Sequence, residues 1–452
     1  MNIFLRGVVV GLLLSISAAH ADGLTNPFSP VDYTDFSQAV SGNPAATTFN
    51  AGTGWLGRAL GIPADSGVTF GGMLLADTNN VFSGGAQPGA WSSNSSLVLS
   101  LKLDAQKLWG WRGASFGVQY LQFYGQNTNG EAGSVQGYNG IVGTLPFQRN
   151  ELYQAWYLQE IIPDTLQIRL GKTTPTLDFN NVLRPLTLKD SAENIPSVSG
   201  LLYTPVFVNP TLLGALPGYY NSAVGATVNF TPNKEMYLNV GVYDGNIANG
   251  VQTGMAAPSF NGYYFNIAEA GTNWLIGEGR HPGQFAIGAW YQSGLLTGPP
   301  NVQQNGTSGL YFFGTQRVWS GAKYGANPDA ASSDQPSADA SPGGHPSVSV
   351  FYQYGINNAD TLPVNQYVGG GVTAFGLVDG RPNDSIGAGV ALSWLNPKIF
   401  QRPTELMFQA YYQAQVANAV FLQPTLSYIP TPGAAPNLAG AWAGTLRLTV
   451  LF

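Results

Sequence analysis

GTLRLTVLF, Gly444–Phe452, closes the chain: Leu446, Leu448, Val450 and Phe452 alternate with Thr445, Arg447, Thr449 and Leu451, and nothing polar follows the last aromatic. A period of two marks a strand whose two faces meet different surroundings. An arginine on one face needs an interior that hydrates or pairs it, while the leucines opposite need an apolar exterior. A closed barrel in lipid supplies both, because closure satisfies the backbone hydrogen bonds without water and side chains point alternately to hydrocarbon and to a polar lumen. Leu446, Leu448, Val450 and Phe452 would then meet lipid, and Thr445, Arg447 and Thr449 a hydrated lumen. A soluble jelly roll could end on the same alternation, so the rest of the chain has to decide.

The pattern recurs along the chain. In SLVLSLKLD, Ser96–Asp104, the leucines at 97, 99, 101 and 103 share one face and Ser96, Ser100, Lys102 and Asp104 the other. Met236, Leu238, Val240 and Val242 oppose Tyr237, Asn239 and Tyr243, and Leu422, Leu426 and Tyr428 oppose Gln423, Thr425 and Ser427. Such segments predict sixteen strands between residues 67 and 452. Their connections alternate between long (78–95, 126–149, 173–221, 245–262, 293–308) and short (160–164, 231–235, 277–282, 378–384). Short periplasmic turns and long external loops are the habit of outer-membrane barrels. An Ala-, Ser-, Pro- and Asp-rich stretch within 319–345 breaks the rule, reading either as a periplasmic insertion or as a mis-threaded strand.

Composition agrees. Only 9% of the 452 residues are charged, against about 25% in an ordinary soluble domain. Yet beyond the first residues no apolar run reaches the roughly 18 residues of a membrane-spanning helix. Arg6, the apolar Gly7–Ile16 and the small-residue ending Ala19-His20-Ala21 fit a signal peptide over 1–21; an N-terminal anchor helix is the alternative. A segment over 22–66 then leads into a barrel over 67–452. Loss of Arg6 leaves 17 Lys and Arg against 24 acids, a formal charge of −7, which argues against a nucleic-acid partner. There is no cysteine, and the mature chain keeps only His281 and His345, each beside proline; neither suits a metal centre or a Ser-His hydrolase, and no cofactor is implied.

GWLGRALGIPADSGVTF from Gly54, TNNVFSGG ending at Gly85, ELYQAWYLQEIIPDTLQIRLGKTTPTLDF (Glu151–Phe179), GLVDGRPNDSIGAGVALSW (Gly376–Trp394), TELMFQAYYQAQV and LQPTLSYIPTPG (Leu422–Gly433) appear in that order. Together they resemble the OprB-type carbohydrate-selective porins. Stretches 126–149 and 319–345 show no such similarity, and Ser427 stands where the family pattern leads one to expect a larger polar residue. The resemblance implies a 16-stranded barrel passing small sugars across a bacterial outer membrane. Its partners would be outer-membrane lipids, the barrel assembly machinery through the C-terminal strand, and, in a homotrimer, copies of itself. It also implies that the loop after the fifth strand folds into the pore; the alternative is a loop lying over the mouth. A porin for another small organic solute and an exported all-β carbohydrate-binding protein stay open.

A sugar pathway needs hydrogen-bonding groups that replace hydration and aromatic faces for pyranose C–H surfaces, with binding weak enough for release. Gln167 and Arg169 oppose an apolar face, so both point inward, and Lys172 and Asp178 begin the long loop. Glu405 and Gln409 share the face opposite Leu406 and Phe408; with Gln423 and Arg447 they either meet solute or form charge pairs that stiffen the wall. Trp290 shares a face with Gln284 and Gln292, as a sugar platform or an interfacial aromatic. Arg381, Asn383 and Asp384 in GRPND read as a turn.

Overall fold

The computed structural model describes residues 54–63, 65–142, 145–163, 165–180, 182, 200–218, 221–233, 235–277, 281–299, 301–321, 346–381, 383–417 and 419–452. The expected signal peptide, most of 22–66 and the stretch 322–345 lie outside these residues. Sixteen strands follow one another: β1 (Val68–Ser83), β2 (Trp91–Asp104), β3 (Ala114–Tyr124), β4 (Gln148–Ile162), β5 (Leu166–Thr173), β6 (Ala223–Asn233), β7 (Met236–Asp244) and β8 (Tyr264–Ile276). The second half is β9 (His281–Gly298), β10 (Val302–Ser320), β11 (Ser347–Asn357), β12 (Val364–Phe375), β13 (Ser385–Leu395), β14 (Thr404–Ala417), β15 (Val420–Ile429) and β16 (Ala441–Leu451). Each pairs antiparallel with its sequence neighbours, and β1 pairs with β16 to close the barrel.

Exposure follows the alternation. On β7, Met236 is 53% exposed and Asn239 1%; on β16, Leu446 is 47% exposed and Arg447 2%. The outward face is apolar and carries aromatics at both rims, as an interface with lipid requires. Tyr428 and Trp442 stack at 4.4 Å near one rim, and Trp111, Phe116 and Tyr157 cluster near the other. Phe452 continues the outer face: its N–H and carbonyl bond Gly72 at 2.9 and 2.6 Å. A Cβ on Gly72 would stand 2.3 Å from the Phe452 ring, so the last aromatic requires glycine beneath it.

Arg447 finds its partner across the closing seam. Register sets it opposite Asp77, whose carboxylate takes Nε and one terminal nitrogen at 2.8 and 2.7 Å, a forked geometry suited to guanidinium. The interior around Thr449 is not the hydrated space expected for it. Thr449 sits opposite Leu75 and Phe421, within an inward apolar cluster that also holds Met73, Val98, Leu121, Phe123 and Leu451.

Two expected long loops are tight turns. β1 runs on to Ser83 and β2 starts at Trp91, leaving 84–90 in place of 78–95; β9 and β10 leave only 299–301 in place of 293–308. In QSGLLTG and VQQNGTSG, polar residues occupy both faces, so the apolar alternation vanishes although the backbone ladder continues. β10 and β11 are paired neighbours, with the Gly321 N–H bonding the Pro346 carbonyl at 2.7 Å. Among the described residues no strand intervenes between them, and 322–345 lies outside those residues.

Candidate functional site: the inner wall and two inward loops

The β3–β4 loop carries a short helix, α1 (Thr128–Glu131), and then enters the barrel. Glu405, fully buried on β14, receives it. Its Oε1 accepts from Ser134 Oγ at 2.7 Å and the Gln136 N–H at 3.1 Å; its Oε2 accepts from the Val135 N–H at 2.8 Å and the Gly433 N–H at 2.7 Å. Farther along the loop, Asn139 Nδ2 donates to Asp77 at 2.7 Å and to Asn79 at 2.9 Å, so the loop also touches the seam. Burial, with the Glu131 and Asp77 charges, pushes the Tyr138 hydroxyl well above its usual range, which keeps it neutral.

The β5–β6 loop also folds inward in its described part. Leu201, Tyr203, Val206 and Leu212 are buried in one core with the inward faces of Tyr237, Trp290, Tyr311, Tyr367 and Tyr411. Gln409 Oε1 accepts from the N–H groups of Leu202 and Tyr203, and its Nε2 donates to the Tyr138 carbonyl at 3.0 Å and Ser427 Oγ at 2.8 Å. Gln423 donates to the Gly200 carbonyl at 2.6 Å, and Asn357 to the Thr211 carbonyl at 2.6 Å. At the loop's other end, Asp178 pairs with Arg169, and the Asn180 N–H donates to Glu269 at 2.7 Å while Tyr237 and Tyr311 hydroxyls donate to the same carboxylate. The two loops bond each other through Thr204 N–H to Gly137 at 3.0 Å and Gly140 N–H to Leu202 at 2.6 Å.

The candidate residues therefore separate into groups. Arg169 and Asp178 meet on the β5 wall. Gln167, half-buried nearer the periplasmic end, donates to Glu160 at 2.9 Å. Lys172 is drawn away: its ammonium donates to the Gly254 carbonyl of the β7–β8 loop at 2.6 Å. Trp290 faces inward, buried and stacked on Phe265 at 5.9 Å, which rules out the interfacial position. Glu405, Gln409 and Gln423 bind loop backbone. Of the charge pairs expected to stiffen the wall, Arg447 forms one with Asp77 across the seam, while Glu405 is met by loop donors rather than by a cation. In GRPND, Asp384 accepts from Arg381 at 2.7 and 3.1 Å and from the Gln415 N–H at 2.9 Å, and this contact holds the Arg381 guanidinium above its usual range. It is a braced turn.

Sequence reasoning missed Arg149 and Glu151, an inward pair on β4 at 3.1 Å, as well as Asp77, Asn139 and Glu269. Arg149 and Glu151 are two apart in a strand, so they share a face; that spacing was a usable signal. Trp156, unplaceable by periodicity, packs inward over Gly117, where a Cβ would stand 2.1 Å from its ring. Asn139 lay in a stretch without similarity or period, and nothing local marked it.

Comparison with known proteins decides what the barrel is. The family of carbohydrate-selective porins, OprB, matches residues 92–452. The chain belongs to that family. Porin B of Pseudomonas aeruginosa is 23% identical over 399 residues, covering 79% of this chain and 81% of that protein. The high-pH structure of Pseudomonas putida OprB superposes with a TM-score of 0.72 at 18% identity, covering 90% of this chain and 99% of that one. The low-pH structure of the same protein gives 0.54 at 15% identity, covering 89% and 100%. These structures share the fold. The protein is thus an outer-membrane porin selective for carbohydrates.

Proposed function

We propose that sugars pass between the two inward loops and the β2–β6 side of the wall, with Arg169 and Asp178 at the narrow part and Gln167 below them. The supporting observation is the division of hydrogen-bonding capacity. Glu405 and Gln409 spend their acceptors chiefly on loop donors, and Gln423 donates its amide to the Gly200 carbonyl; groups so engaged cannot also replace the hydration of a passing solute. Most of the loop anchors lie on β11–β16 and β1, whereas across the barrel Ser100, Gln119 and Gln154 bond chiefly side chain to side chain along the wall, with Thr174 N–H the loop contact to Gln154, and Arg169 meets the side chain of Asp178. In this reading the protein is a passive channel and has no catalytic role. The strand end that Phe452 completes is the part read by the assembly machinery, and the first 21 residues are removed on export.

Liposome swelling tests the solute class. Neutral mono- and disaccharides should enter wild-type proteoliposomes faster than amino acids or aromatic acids of equal size; equal rates would remove the sugar preference from this chain.

A further inference from the structure

We propose that Glu405 is a positioning residue that sets the size limit of the channel by holding the β3–β4 loop inside the barrel. Four donors converge on its carboxylate: three backbone N–H groups and one hydroxyl, between 2.7 and 3.1 Å. A buried carboxylate is costly unless its oxygens are met, and here the loop meets both. No acceptor capacity is left for a solute, so Glu405 acts on transport through the loop it holds.

The same contact governs more than one segment. Gln136 adds to it, donating to the Glu405 carbonyl at 3.2 Å and accepting from Ser393 Oγ at 2.8 Å. From there the loop spans the interior to the seam, where Asn139 reaches Asp77 and Asn79. At Gly137, between those anchors, and at Gly140, just past the second, it bonds the β5–β6 loop. A Cβ on Gly140 would lie 2.6 Å from the Phe207 ring, so the two loops pack at glycine distance. Gly433, from the β15–β16 loop, shares the carboxylate and thereby braces it from the external side. Releasing Glu405 frees one loop directly and loosens the second.

The proposal rests on the sugar-channel reading, and its test separates the two. Glu405→Ala should give a folded, heat-modifiable barrel with higher single-channel conductance that admits oligosaccharides the wild type excludes. The chain lacks cysteine, and a Cβ on Gly433 would stand 2.9 Å from Val135 Cγ2, so Val135→Cys with Gly433→Cys can form a disulfide across the contact. Added to Glu405→Ala, that bond should restore the wild-type cut-off when oxidised and lose it on reduction. A solute-contacting carboxylate would not be replaced by a disulfide, so failure of the oxidised form to restore the cut-off overturns the proposal, as does an unchanged cut-off in folded Glu405→Ala. Should Glu405→Ala not assemble, Glu405→Gln keeps the side chain's size but turns an amide donor toward the converging N–H groups: a widened cut-off supports the proposal and an unchanged one overturns it. Wild-type protein that passes no sugar removes the sugar-channel reading instead.

Discussion

Arg447 and Arg169 both project from the wall into this barrel, and both are matched by an aspartate, yet the two pairs do different work. Asp77 stands on the neighbouring strand, set opposite Arg447 by the ladder that closes the barrel. Asp178 comes from a loop and meets Arg169 only because that loop turns inward. The first pair joins wall to wall and bears on closure. The second joins wall to loop, and in the proposed pathway it stands at the narrow part. Identical chemistry thus joins strand to strand in one place and strand to loop in the other, and the two acidic partners differ in how freely they can leave.

Removing the seam partner should have the largest effect. Asp77→Ala leaves a buried guanidinium without its carboxylate, and breaking such a pair costs about 3–5 kcal/mol. The urea midpoint of the folded barrel in micelles should fall accordingly, while Asp77→Asn combined with Arg447→Gln should recover much of the loss. A single substitution as mild as a surface change would show that the seam does not depend on the pair.

Moving the cation one position along the same strand sharpens the contrast. Leu446→Arg presents a charge to lipid near the middle of β16, at a cost of about 2–4 kcal/mol. Folded outer-membrane yield should drop. If yield is unchanged, the outward assignment of Leu446 is wrong and Arg447 loses its inward place with it.

Arg169→Ala should be the mildest of the three for stability, at most about 1–3 kcal/mol for an unmet polar partner, because Asp178 can move with its loop toward water. Its effect should appear in transport instead, as faster or less discriminating sugar entry through a barrel that still assembles. Unaltered sugar block and conductance in planar bilayers would detach the Arg169 pair from the pathway and leave it a structural contact.

Alternation alone marks nearly all of the wall. β7 and β13 begin and end where their periodicity begins and ends, since both lie within the apolar belt. β9 and β10 were read too short because their outer ends stand in water, where both faces are polar and no contrast remains. Parity places Arg169, Gln409, Gln423 and Arg447 on the inward face, while Asp178 stands at the start of a loop whose inward turn only the porin resemblance implies. Their partners were not legible. Ser134 and Glu405 are separated by 271 residues, and Asn139 and Asp77 by 62, and neither relation leaves a periodic trace.

The sequence by itself determined the strand number, the direction in which most wall side chains point, and the need for an interior that accepts arginine. These follow from the extended backbone, in which neighbouring Cβ atoms must take opposite sides and lipid permits charge on one side only. Only the tertiary structure decided that Glu405 grips a loop, that Asp77 takes Arg447, and that part of the lumen is apolar. A loop's destination depends on which distant groups lack a hydrogen-bond partner once the barrel has closed, and closure brings those groups together from opposite ends of the chain.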